Sequence, residues 1–184
     1  MRFEEIPSNI LHPLTVLPVA GTLLLYARGL GLLESVSWVS IWVVAAMVPT
    51  TVVAWRTVEP GLDVINRRQR NRSYLTGISA LLAVLGAAYT LSAPAPVLHL
   101  GQFAVVAAAV FGAANQFSKI SIHTGTLTFA AGSFVKLVPA VAFAGVLLSV
   151  PVAWSRVELD CHTRKQVLQG GALGLICGIL TALL

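Results

Sequence analysis

Polar residues in this chain are gathered into a few short segments, and the stretches between them contain no Asp, Glu, Lys or Arg. A helix that crosses a bilayer needs about 20 apolar residues, so each uncharged stretch can be measured against that length. Residues 6–27 and 35–55 each fit one helix. Residues 73–118 are too long for one and fit two, parted at Ser92-Ala93-Pro94-Ala95-Pro96, where the prolines stop a helix and favour a turn. Residues 120–135 are short for a span, and 137–155 and 166–184 each fit one. The pattern predicts an all-α, polytopic transmembrane helix bundle of seven helices and six to seven spans. The helices are apolar nearly all round, as lipid-buried helices are. Gly170, Gly174 and Gly178 form a small-residue stripe that lets a neighbouring backbone approach, which reads as packing. Nothing divides the chain, so residues 1–184 form one integral membrane domain. Residues 1–56 supply two N-terminal helices, and 57–184 form a core that carries most of the polar segments.

Composition agrees. Of 184 residues, 57% are hydrophobic and 10% charged, against about 25% charged in soluble domains. So few charges cannot cover a water-facing surface. The formal net charge of +5 would suit nucleic acid, but no stripe of aromatic and basic residues offers base stacking, so no nucleic-acid partner is expected. The first ten residues hold two acids and lack a basic region, which argues against a cleaved signal peptide. Cys161 and Cys177 lie about 24 Å apart on a helix and cannot bridge. No Cys/His spacing matches a zinc site, so neither metal nor cofactor is expected.

Seven spans sort the loops onto two sides. One side holds Arg2, Arg56, Arg67, Arg68, Arg70, Arg72, Lys119, Arg156, Arg164 and Lys165, and the other holds Arg28 and Lys136. Cytoplasmic loops carry the excess of Lys and Arg, which makes the first side cytoplasmic in a cell-membrane protein. All the polar segments with candidate chemistry fall on that side: the basic run 67–72, Lys119-Ile120-Ser121-Ile122-His123, and Ser155-Arg156 through His162. A central Arg or Lys beside lipid costs about 2.5–3.5 kcal/mol or more, so charges retained there usually have a task. Cations can hold an anion, planar guanidinium groups match phosphate geometry, and two imidazoles can serve as nucleophile and acid. Arg68 and Arg72 could supply one part of a phosphate clamp and Arg156 another. Lys119 and Ser121 add donors beside His123. His12 and His99 read as interfacial residues.

The order and spacing of these segments resemble the type 2 phosphatidic acid phosphatase superfamily, which includes lipid phosphate phosphatases and vanadium haloperoxidases. That family's pattern is K-x6-R-P, then P-S-G-H, then S-R-x5-H-x3-D. Ser155-Arg156, five residues and His162 match the third part. Ser121 and His123 keep the serine and histidine of the second. Arg72-Ser73 stands in place of R-P. The likeness extends over roughly residues 60–184. It implies a metal-independent hydrolase with a site at one membrane face, acting on a lipid phosphate or a prenyl (di)phosphate. It assigns His162 as the nucleophile that becomes phosphohistidine and His123 as the acid for the leaving oxygen. Arg72 and Arg156 would stabilise the phosphoryl group, with Ser121 as a further donor.

Three positions depart from the pattern. Ile65 stands where the lysine belongs, with Arg67, Arg68 and Arg70 as candidate replacements. Ile122 replaces the glycine. Gln166 replaces the aspartate that orients the nucleophilic imidazole; it lies four residues after His162, on the same helical face, and its carbonyl could accept the imidazole N–H. Glu158 and Asp160 are alternative carboxylates. The expected partners are an amphiphilic phosphate and the lipid bilayer, and a homo-oligomer is compatible with the pattern. Two rival functions are a catalytically degenerate binder of lipid headgroups and a small transporter. The near absence of ionisable residues within the helices argues against the transporter.

Overall fold

A computed structural model describes residues 3–57 and 67–183, with side chains for 3–53 and 70–183. Among these residues there are eight helices and no strand: α1 (Glu5–Ile10), α2 (Pro13–Ala27), α3 (Leu32–Thr57), α4 (Arg67–Thr90), α5 (Ala95–Phe117), α6 (Ile122–Ser133), α7 (Pro139–Glu158) and α8 (Arg164–Leu183). Five of them, α3, α4, α5, α7 and α8, are long and apolar enough to cross a membrane. The expectation of six to seven spans exceeds that number, because α2 has 15 residues and α6 only 12.

The uncharged stretch 6–27 is two helices rather than one. Proline pushes its preceding residue out of the α region, and His12 before Pro13 is extended, at φ −69° and ψ 145°. Its ring accepts the Leu14 N–H at 3.2 Å and so caps α2. The turn between α4 and α5 falls where the prolines predict it. Ser92 takes a left-handed φ of 53°. Ala93 N–H then donates to Ala88 O and Ser92 N–H to Tyr89 O, closing the last carbonyls of α4.

The short helix α6 is the centre of the bundle: ten of its twelve residues are buried. It packs along α8, and the glycine stripe is the reason. A Cβ at Gly174 would meet the backbone of Gly125, one at Gly178 that of Phe129, and one at Gly170 that of Ser121. The seam between α6 and α8 is therefore backbone against backbone at these three glycines. Helix α7 covers α6 and α8, and α1 lies on α7. Helices α2, α3, α4 and α5 form a second layer, joined to α6 through α2. At the end of the bundle where α2 and α8 finish, Arg28 donates to Thr181 O at 3.3 Å. A cluster of Leu25, Leu30, Val39, Trp42, Leu81, Ala88, Ala93 and Val97 fills the four-helix layer towards that end.

Candidate functional site

The bundle forms a partly open cavity of about 760 Å³, and His12, Arg70, Lys119, His123, Arg156 and His162 gather at its polar end. Each side chain is delivered by a helix terminus. Arg70 lies near the start of α4, Lys119 in the corner between α5 and α6, and His123 on the first turn of α6. Arg156 lies on the last turn of α7, and His162 in the turn before α8. Residues up to 150 positions apart in sequence, His12 and His162, thus meet at one end of the bundle.

Backbone carbonyls hold this cluster together. Arg70 is 5% exposed and donates to Ile120 O at 2.9 Å. Lys119 Nζ donates to Cys161 O at 3.0 Å, and the Lys119 carbonyl in return takes His162 Nδ1 at 3.0 Å. His162 N–H donates to Arg156 O at 3.0 Å. A carbonyl can only accept, so Nδ1 carries the ring proton and Nε2 keeps the lone pair. Burial first, then the charges of Lys119, Arg70 and Arg156, lower the His162 pKa from 6.5 to about 4, opposed by the bond to Lys119 O. At neutral pH the ring is uncharged, the form a nucleophile needs. Three cations around one ring also make the cavity end electropositive. An anion bound there would be attracted by all three.

Several sequence-assigned residues lie elsewhere. Arg72 is exposed and does not line the cavity. The α4 backbone turns Arg70 inward instead, because two residues along a helix point about 200° apart. The Arg68 side chain and Ile65 lie outside the described residues. Ser121 is fully buried as the N-cap of α6, accepting from Thr124 N at 3.4 Å and Thr124 Oγ1 at 3.1 Å. Ser155 is fully buried and bonds Ser8 Oγ and Glu4 O, so its hydroxyl ties α7 to the N-terminal segment. Gln166 does not orient His162. Its Oε1 accepts the Thr163 N–H at 3.1 Å while Thr163 Oγ1 accepts the Gln166 N–H at 3.3 Å. This reciprocal pair is a capping box at the start of α8. The Lys119 carbonyl holds the imidazole, a position that neither Gln166, Glu158 nor Asp160 takes.

His12, read from the sequence as an interfacial residue, lines the cavity. Its ring meets that of His123 edge to face, with centroids 4.8 Å apart, so the N-terminal helices contribute directly to the site. The signal was present in His12-Pro13, which marks a helix start in the middle of an apolar stretch. Tyr74, one turn below Arg70, also lines the cavity. Among the described residues, no three His, Cys, Asp or Glu side chains gather as a metal site. Both cysteines are free.

No family model, curated protein or solved structure matches this chain.

Proposed function

We propose that this protein is a membrane-embedded phosphatase resembling the type 2 phosphatidic acid phosphatases, and that it releases phosphate from a lipid phosphate or prenyl (di)phosphate. The observation that carries the reading is His162. Its Nδ1 proton is fixed on Lys119 O, its Nε2 lone pair is available, and Arg70, Lys119, Arg156 and His123 line the same cavity.

In the proposed reaction Nε2 attacks phosphorus, a P–N bond forms and the P–O bond to the leaving alcohol breaks. His123 serves as the acid that gives a proton to the departing oxygen. Water then attacks the phosphohistidine and loses a proton to His123, and the P–N electrons return to Nε2. The three cations stabilise the negative oxygens of the pentacoordinate phosphoryl group, a contribution commonly worth 10²–10³-fold per donor. Arg70 takes the part the sequence assigned to Arg72. The charge asymmetry of the loops supports a cytoplasmic site in the cell membrane. Labelling Cys161 from each side of sealed vesicles tests that orientation.

The decisive experiment measures phosphate release from phosphatidic acid, phosphatidylglycerol phosphate and prenyl diphosphates in detergent. Wild type turns over at least one of them, and His162→Ala abolishes it. Equal turnover by His162→Ala sinks the mechanism. One observation favours a second reading, a headgroup binder without turnover: a backbone carbonyl behind His162 stabilises developing positive charge on the ring less than a carboxylate does. Tight phospholipid binding with no release from any of these substrates would select that reading.

A further inference from the structure

The cavity continues well below the charged residues, and its walls change character. From Arg70 to Leu81 on α4, and from Phe111 to Leu100 on α5, the lining descends eleven residues, or about 16 Å at 1.5 Å per residue. Half of a 30 Å hydrocarbon core is about 15 Å, so the shaft is one leaflet deep. Its walls are apolar side chains from several helices, among them Val43, Met47, Ile78, Ala104 and Ala108. Val39, Trp42 and Leu81 belong both to the deep lining and to the packed cluster beneath it. That cluster stops the shaft at its apolar end. A volume of about 760 Å³ falls within the usual 300–1,000 Å³ range of small-ligand cavities.

The geometry points to a chain-binding shaft: the hydrocarbon chain of the phosphate-bearing substrate enters the protein, and the floor at Trp42 measures its length. Cations at one end and an apolar well floored by Trp42 at the other match the two ends of an amphiphilic phosphate. This inference rests on the phosphate reading of the polar end, and it adds that the chain does not stay in the surrounding lipid. The substrate class is then an alkyl or prenyl phosphate whose chain extends across about one leaflet. Shorter chains leave apolar wall unfilled, and longer ones have no room beyond Trp42.

The test uses hexyl, dodecyl and octadecyl phosphate with the protein in lipid nanodiscs, reading both phosphate release and tryptophan fluorescence. Dodecyl phosphate brominated at its terminal carbon should quench Trp42, a signal lost in Trp42→Phe, while terminally brominated hexyl phosphate should not. Release, as kcat/KM, should rise at least 10-fold from hexyl to dodecyl and fall again at octadecyl, because a dodecyl chain fills the shaft down to Trp42, a hexyl chain leaves its lower wall uncovered and an octadecyl chain overruns the floor. Ala104→Phe plugs the shaft seven residues, about 10 Å, below Phe111. It should bring kcat/KM for dodecyl phosphate down to that for hexyl phosphate and abolish the quenching of Trp42; Ala104→Leu is the milder variant if the ring disrupts folding. Equal release at all three lengths with no Trp42-specific quenching overturns the shaft and leaves the hydrolase standing. Length-dependent quenching without any release supports the shaft and sinks the hydrolase. Absence of both signals sinks both.

Discussion

Gly174→Ala is the substitution that tests how the centre of this bundle positions its chemistry. A Cβ there would press on the carbonyl of Gly125, lying 2.7 Å from its carbon and 2.5 Å from Thr128 Oγ1. Ordinary contact begins at 3.4 Å, and the Gly125 oxygen lies nearer still than Thr128 Oγ1, so the two helices must part by at least about 0.9 Å. One obstacle is backbone, and Thr128 is itself fixed by hydrogen bonds to Thr124 O at 3.0 Å and Gly125 O at 3.1 Å. Neither can swing aside cheaply. Overpacking of this kind costs about 1–3 kcal/mol, against a gain of up to about 1 kcal/mol from replacing a helical glycine by alanine. The net expectation is destabilisation. The displacement also reaches the site, because His123 lies two residues before Gly125 and His162 two residues before α8. A misplacement of about 1 Å can cost about 10²-fold in rate. Thermal unfolding and phosphate release should both be measured in detergent beside Gly86→Ala, whose Cβ meets nothing within 4 Å. Gly174→Ala should unfold at lower temperature than wild type, and Gly86→Ala at the same temperature or higher. If Gly174→Ala matches Gly86→Ala in stability, the close approach of α6 and α8 does not hold the bundle together as argued.

Three further outcomes are expected. The ring of His162 should titrate near pH 4 in NMR of histidine-labelled protein, and Lys119→Gln should move it upward by removing a facing cation. Because the unfolded ring titrates near 6.5 and the folded ring near 4, the unfolded state binds more protons between those values; stability should therefore fall as pH drops through that window, and His162→Gln should flatten the decline. Arg70→Gln should lower kcat/KM by about 10²–10³-fold, whereas Arg72→Gln should stay within about 0.5 kcal/mol of wild type in stability and keep its turnover, so equal losses would contradict the inward placement of Arg70. Ser121→Ala and Gln166→Ala should each cost about 0.5–2 kcal/mol of stability as lost helix caps, and Gln166→Ala should leave the NMR titration of His162 unmoved.

The helical class and most helix positions were legible in the chain because spans are set by length and by absence of charge, both local properties. The Pro94/Pro96 turn and the glycine stripe were equally local, and each has its expected counterpart in the structure. His12-Pro13 was legible in principle, since proline acts on its own neighbour, yet the apolar run around it hid the break. The candidate site was legible only as a list of residue types at one end of several helices. Which of Arg70 and Arg72 points inward depends on the rotation of α4 about its axis, and that is fixed by packing against α3 and α5. The roles of Ser121 and Gln166 were decided in the same way, by helix starts whose free N–H groups claimed those side chains first. The imidazole of residue 162 finds its partner in the carbonyl of Lys119, 43 residues away, and backbone oxygens are the same in every sequence. No pattern of side chains could have named that partner; only the close packing that brings the corner before α6 against the turn before α8 selects it.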